Sequence, residues 1–184
     1  CRRIFGEKRV GHAGTLDPQA SGVLIVCVGP ATRLDKYLVG HDKTYYVDVA
    51  FGAATETDDR EGAIIEQLAV PSVVFDADFA TAYVQTLKGK IMQTPPRYSA
   101  LKKNGNKACD EARKGNAVPM EPRAVEIYSV RFIDIILPEN ECPFVRWRLE
   151  VSVSKGTYIR SFARDLGKAL GTAAHVALLR RVQS

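Results

Sequence analysis

Residues 145–153 most narrowly restrict what this chain can become: Val145, Trp147, Leu149, Val151 and Val153 are apolar, and polar Arg146, Arg148, Glu150 and Ser152 separate them. An apolar–polar period of two has one regular solution, a strand with one face buried and the other wet. Residues 123–137 form a second long β-rich run, and the turn-like PENECP lies between the two. An antiparallel pairing is therefore predicted, and a simple parallel sheet is excluded.

The rest of the chain mixes periods. Residues 22–28, with Val23, Leu24, Ile25 and Val26 in one run, read as a buried strand, and ATRLDKYLV after them as a short helix. Residues 44–51 alternate as a strand. The polar, acidic GAATETDDREG that follows reads as a loop, and its spacing lacks the central glycine of a calcium site, so a solvated connection is favoured over a metal site. Residues 76–87 read as a helix capped by Asp76, with Phe79, Ala80, Tyr83, Val84 and Leu87 on one face. After Gly156 the period changes to helical, marked by Ile159, Phe162, Ala163, Leu166 and Leu170 and stopped at Gly171. Arg160, Arg164 and Lys168 stand four apart beside that face, a stripe that usually marks a solvated edge. Arg160 falls in the first turn, where a guanidinium is placed to reach a carboxylate or a phosphate. The expected class is α+β, a mixed, largely antiparallel sheet with flanking helices.

The chain's 184 residues fit one domain with a real core. Lys and Arg total 26 against 21 Asp and Glu, a net charge of +5 that suits a polyanionic partner without requiring one. Cys1, Cys27, Cys109 and Cys142 form no C-x-x-C pair and have no metal-like spacing, which points to reduced thiols in a cytoplasmic protein. No apolar run approaches membrane-spanning length, so no membrane partner is expected. The chain opens at Cys1 rather than at methionine, and a preceding piece is expected.

One stretch carries chemistry. GHAGTLDPQASGVLIVCVG, residues 11–29, sets Asp17 before Pro18 in a loop bracketed by Gly14 and Gly22. Asp-Pro is ordinary turn chemistry, but the same loop suits a reacting carboxylate approached closely at the glycines. QTPPRYSALKKNGNKACDEARKG interleaves Tyr98 with Arg97, Lys102, Lys103 and Lys107 and predicts a hairpin around Asn104 and Gly105. It reads equally as a nucleic-acid contact arm or as a solvated excursion. No Ser-His-Asp set, metal cluster, P-loop or dinucleotide fingerprint can be assembled, and His12, His41 and His175 are scattered. A carboxylate with an arginine and a tyrosine remains, enough for a nucleophile or a base.

Four stretches in order, GHAGTLDPQASGVLIVCVGPATRL, KTYYVDVAFGAATETDDREG, GKIMQTPPRYSALKKNGNKACDEARKG and SKGTYIRSFARDLGKALGTAAHVALLRR, resemble the successive motifs of bacterial TruB-type tRNA pseudouridine-55 synthases. The resemblance implies a pseudouridine-synthase-like fold and an isomerase, an intramolecular transferase that converts uridine 55 of the tRNA T-loop to pseudouridine by base flipping, without cofactor or metal. It implies Asp17 as the catalytic aspartate, Arg160 as the cation that favours its charged form, and Tyr45 as the ring that stacks on the flipped base near C5. It further implies that Tyr158 and Leu179 line the uracil pocket and that His12 braces the space left by the displaced nucleotide. Without it, His12 reads as a hydrogen-bonded loop residue, Tyr158 as helix-start packing and Leu179 as core. Arg97, Lys102, Lys103 and Lys107 would contact the T-stem and loop.

The implied molecule is a monomer that needs no protein partner. Residues 1–184 are expected to be one catalytic domain, without the family's upstream lysine-proline segment and the RNA-binding domain that follows LRR. Cys109 stands where an aromatic residue is usual. Two other classes stay in view: a tRNA-binding protein without turnover, and a nucleoside or glycoside hydrolase. The hydrolase lacks an identifiable second carboxylate.

Overall fold

The computed structural model describes residues 1–99, 101–103, 106–108, 111, 119–139 and 142–184, and at 102, 103, 106 and 107 the backbone alone. In chain order the elements are α1 (Arg2–Phe5), β1 (Val10–Ala13), β2 (Ser21–Gly22), β3 (Ile25–Val28), α2 (Asp35–Leu38), β4 (Lys43–Phe51), β5 (Ala53–Thr55), β6 (Ile64–Gln67), α3 (Ala77–Gln85), β7 (Gly89–Gln93), β8 (Lys102–Lys103), β9 (Asn106–Lys107), β10 (Arg123–Ile136), β11 (Arg146–Val153), α4 (Ile159–Ala169) and β12 (Ala174–Gln183). Short 3-10 turns cover Gly29–Leu34 and Ser72–Phe75.

A six-stranded sheet in the order β2-β12-β4-β11-β10-β7 is the frame. Its pairings are antiparallel except for β12 with β2. The α+β class and the mixed, largely antiparallel sheet are thus observed. The alternating run became β11, whose burial alternates along its whole length, and it pairs antiparallel with β10 as predicted. Trp147 on β11 is fully buried, meets the rings of Phe51 and Phe132 edge-on, and donates from Nε1 to the Val74 carbonyl at 2.8 Å. The α3 start also matches expectation, because the Asp76 carboxylate accepts from the amides of Asp78 and Phe79. Helix α4 lies close on β12: a Cβ added at Gly167 would stand 2.6 Å from that of Ala174.

Three expectations need correction. Residues 22–28 are not one buried strand: β2 ends at Gly22, β3 pairs with β1 in a separate two-stranded ribbon, and Val23 and Val26 are exposed. An apolar run resembles a core strand whether or not a second layer covers it, and a two-stranded ribbon covers little. The acidic stretch is not simply a solvated loop, because its start forms β5 and Asp59 is buried in an ion pair. The Arg160–Arg164–Lys168 stripe is not a free edge either. Arg164 reaches Asp58 at 3.0 Å and the Thr94 carbonyl at 2.8 Å.

The parallel pairing of β2 with β12 depends on glycine. Gly22 has φ +107° and stands opposite Arg181, where an added Cβ would lie 1.9 Å from the Arg181 carbonyl oxygen. Gly22→Ala is therefore expected to separate β2 from β12 and to destabilise the fold by about 2–4 kcal/mol, the combined scale of left-handed strain and overpacking. Urea unfolding reads the loss; a midpoint equal to the parent's contradicts it.

A pH dependence is built into β12. His175 is buried, with Nδ1 2.8 Å from the Ala53 carbonyl, and burial pushes its pKa below the ordinary 6.5 against the opposing pull of that carbonyl and of Asp59. The unfolded chain takes up this proton first, so the stability contributed by neutral His175 is complete above pH 6.5 and is lost as pH falls through the folded value. Stability against urea is expected to decline on acidification below that point, and His175→Gln is expected to flatten that part of the profile. An unaltered slope in the variant assigns the decline to other groups.

Candidate active site

The site forms where the 14–20 loop, the paired edges of β4 and β12, and the start of α4 converge on a cleft of about 310 Å³. Strand register decides which side chains face it. In β4 and β12, Tyr45 lies opposite Arg181 and Val47 opposite Leu179, so the period of two puts Lys43, Tyr45, Leu179 and Arg181 on one face. All four line the cleft.

Asp17 enters from the loop. Its own carbonyl accepts from the Ala20 amide at 2.9 Å, closing a turn, and Gly14 at φ +83° lets the chain bend in from β1. The Asp17 side chain keeps 29% of its surface exposed, and its Oδ1 lies 2.9 Å from Nη2 of Arg160. Arg160 itself is buried in the first turn of α4. Its guanidinium also donates to the carbonyls of Thr57 at 3.1 Å and Tyr98 at 3.0 Å, and approaches Asp59 Oδ2 at 3.7 Å. Asp59 is fixed in turn by the Thr57 hydroxyl and the Glu61 amide. Arg160 thus holds the carboxylate at the edge of the cleft, and the carbonyls of Thr57 and Tyr98 and the Asp59 carboxylate hold Arg160.

The start of α4 is set by a side chain that mimics backbone. Gln93, buried on β7, donates to the Tyr158 carbonyl at 3.1 Å and accepts from the Tyr158 amide at 2.8 Å. Tyr158 lines the cleft beside Arg160. Burial raises the pKa of its phenol, and an interaction with the Ser99 side chain works against that rise. Tyr45 is raised for the same first reason, and the neighbouring Arg181 opposes it. Lys43 is lowered by burial and by the nearby Arg181 charge, while its ammonium donates to the carbonyls of His41 and Val39 at 2.7 and 3.3 Å.

Of the residues singled out from sequence, Asp17, Tyr45, Arg160, Tyr158 and Leu179 meet at this cleft. His12 does not line it; it sits exposed on β1, opposite Val26 of β3. Arg97 is exposed. Lys103 pairs with Asn106 and Lys102 with Lys107, which bears out the hairpin, although its tip residues Asn104 and Gly105, the side chains of Lys102, Lys103 and Lys107, and Cys109 lie outside the described residues. Among the described residues no group of His, Cys, Asp and Glu is arranged to hold a metal ion, and no helix is long and apolar enough to cross a membrane. Lys43, Asp59, Gln93 and Arg181 are members that sequence reasoning missed. The alternation through Lys43, Tyr45 and Val47 was a usable signal for the first.

The family model described as TruB family pseudouridylate synthase (N terminal domain) matches residues 2–159. Proteins named tRNA pseudouridine synthase B are similar over the full chain: 42% identity in Staphylococcus saprophyticus, covering 59% of that protein, and 45% in Gloeobacter violaceus, covering 61%. The chain spans about three fifths of the length of these curated relatives. Among solved structures, a chain of a Cbf5-Nop10-Gar1 complex matches all of this chain and 42% of its own length, with TM-score 0.68 and 28% identity. A chain of an H/ACA RNP bound to a substrate RNA containing 2'-deoxyuridine matches all of this chain and 41% of its own, with TM-score 0.65 and 25% identity.

Proposed function

The chain belongs to the TruB family of pseudouridylate synthases, and from that premise we propose that it isomerises a uridine of tRNA, uridine 55 of the T-loop, to pseudouridine. The observation that carries the proposal is the Asp17 carboxylate, partly open to a cleft and held at 2.9 Å by buried Arg160, with Tyr45 and Leu179 among the cleft's other walls. A glycosidic bond inside a stacked loop is inaccessible, so the nucleotide must leave the stack and enter the cleft. There Asp17 promotes cleavage of the bond from C1′ to N1, the freed uracil turns, C5 bonds to C1′, and the proton lost from C5 is balanced by one taken up at N1. Tyr45 stacks on the base and stands near C5, an aromatic face worth about 1–3 kcal/mol to a bound base. Tyr158 and Leu179 close the pocket around the ring.

Tyrosine and leucine walls suit an uncharged planar base, and the charged Asp17–Arg160 pair suits the sugar edge where charge develops. The exposed Arg97 and the basic hairpin beside it are proposed to meet phosphates of the T-stem and loop, which makes binding fall with added salt. The reaction as written needs no cofactor, and the protein is proposed to work in the cytoplasm as a monomer.

The direct test incubates the chain with an unmodified tRNA transcript and maps pseudouridine, beside a transcript carrying cytidine at position 55. Product in the first and none in the second is expected. Binding without product makes the chain an RNA-binding protein, and release of free uracil makes it a hydrolase.

A further inference from the structure

Among the described residues Arg181 is as deeply buried as any charged group, at 1% exposure, and the proposed chemistry gives it no task. Its backbone stands between two strands, antiparallel to Tyr45 of β4 and parallel to Gly22 of β2. Its guanidinium spans the catalytic loop. Nε donates to the Val23 carbonyl at 2.7 Å, just beyond β2, and Nη1 reaches the Thr15 carbonyl at 3.4 Å, two residues before Asp17. The remaining nitrogen, Nη2, is buried with no hydrogen-bond partner among the described residues.

A buried cationic donor without an acceptor is costly, on the order of 1–3 kcal/mol or more. A purely structural clamp would need only the two bonds to Thr15 and Val23. The side chain directly across the strand pair is Tyr45, on the same cleft face, and its phenol oxygen has lone pairs to accept. Lys43, on the same face of β4, is committed to the carbonyls of His41 and Val39. Asp17 is committed to Arg160. Arg181 is thus the cation whose free donor stands beside the tyrosine.

We propose that Arg181 is a positioning residue that ties the Asp17 loop to the Tyr45 hydroxyl, so that the carboxylate and the aromatic ring keep one spacing, with Nη2 closing on the phenol oxygen when a base fills the cleft. The kinetic part rests on the isomerase reading; the contact with Tyr45 does not. Apo sites commonly hold such bonds long or misaligned and tighten them around the substrate. The electrostatics agree, since burial raises the pKa of the Tyr45 phenol and the neighbouring Arg181 lowers it, with Asp17 acting in the raising direction.

The test has two arms. In protein labelled at tyrosine Cζ, the Tyr45 resonance, identified by its absence in Tyr45→Phe, is titrated in the parent and in Arg181→Met. A midpoint moved to higher pH is expected on loss of the neighbouring guanidinium, and an unchanged midpoint overturns the placing of Arg181 beside the Tyr45 hydroxyl. In single-turnover pseudouridine formation, Arg181→Lys and Arg181→Met are expected to lower the rate roughly tenfold or more with tRNA affinity within about threefold. In a Tyr45→Phe background the same substitutions are expected to cost much less, because Arg181 acts through the lost hydroxyl. Equal losses in both backgrounds reduce Arg181 to a structural clamp. Arg181→Lys keeps the charge in the core and carries the double-mutant comparison if Arg181→Met does not fold. A parent without isomerase activity removes the proposed function while leaving the resonance arm decisive.

Discussion

Asp17→Asn is expected to remove pseudouridine formation, by about 10⁴-fold or more in single-turnover rate, while leaving fold and tRNA affinity close to those of the parent. The size follows from the role, since loss of a reacting group that works as part of a set removes nearly the whole chemical acceleration. The selectivity follows from the geometry. An asparagine amide has the same shape and keeps an oxygen facing Nη2 of Arg160, now 2.9 Å from the carboxylate. Arg160 also retains Asp59 and the carbonyls of Thr57 and Tyr98, so its charge is not orphaned. What disappears is the negative charge and one of the two carboxylate oxygens. Quenched time courses with excess enzyme, beside filter binding of the same tRNA, separate the two quantities. A variant retaining a tenth of the parent rate removes Asp17 from the chemistry.

The second large effect concerns stability. Trp147→Ala is expected to cost about 3–5 kcal/mol, the usual range for emptying a large aromatic site in a core. Trp147 is fully buried on β11, the third strand from the β7 edge of the sheet, touches Phe51 and Phe132, and satisfies the Val74 carbonyl. Truncation therefore opens a void and orphans a buried acceptor together. Against a total of about 5–15 kcal/mol for a domain, this loss brings the fold near its limit. Trp147→Phe keeps most of the volume and loses the donor, so a smaller cost of about 1–2 kcal/mol is expected. Urea unfolding of the two variants checks both the size and the order, and equal midpoints for Phe and Ala contradict the account.

The legible part of the fold was the part with a clean period. β11 was readable because one of its faces is core along its whole length, and α3 because Asp76 is a side-chain cap as well as a helix boundary. β12 was not read as a strand from its residues: Ala174, His175, Val176 and Ala177 are all buried, so the expected alternation is absent at its start. Residues 22–28 failed in the opposite direction, since apolar side chains there face outward on a ribbon. In the site, Asp17 was visible from its loop, and Arg160 from its place in the first turn of a helix. Asp59 was invisible because it lies in an acidic stretch whose composition suits solvent, and its burial depends on partners far along the chain, Arg160 at its carboxylate and Val176 across a bridge. Arg181 was hidden with its strand.

The strand order also ranks the elements by when they can join. β4, near the middle of the sheet, has β11 and β12 as its two neighbours, and both are made long after it. During synthesis β4 emerges with neither flank covered, and the Asp17 loop with neither Arg160 nor Arg181 to hold it. Long-range strand pairing of this kind is slow and leaves unpaired edges open to wrong partners. The cleft is thus completed only when β12 takes its place between β2 and β4, carrying Leu179 and Arg181 to the wall that Tyr45 already forms.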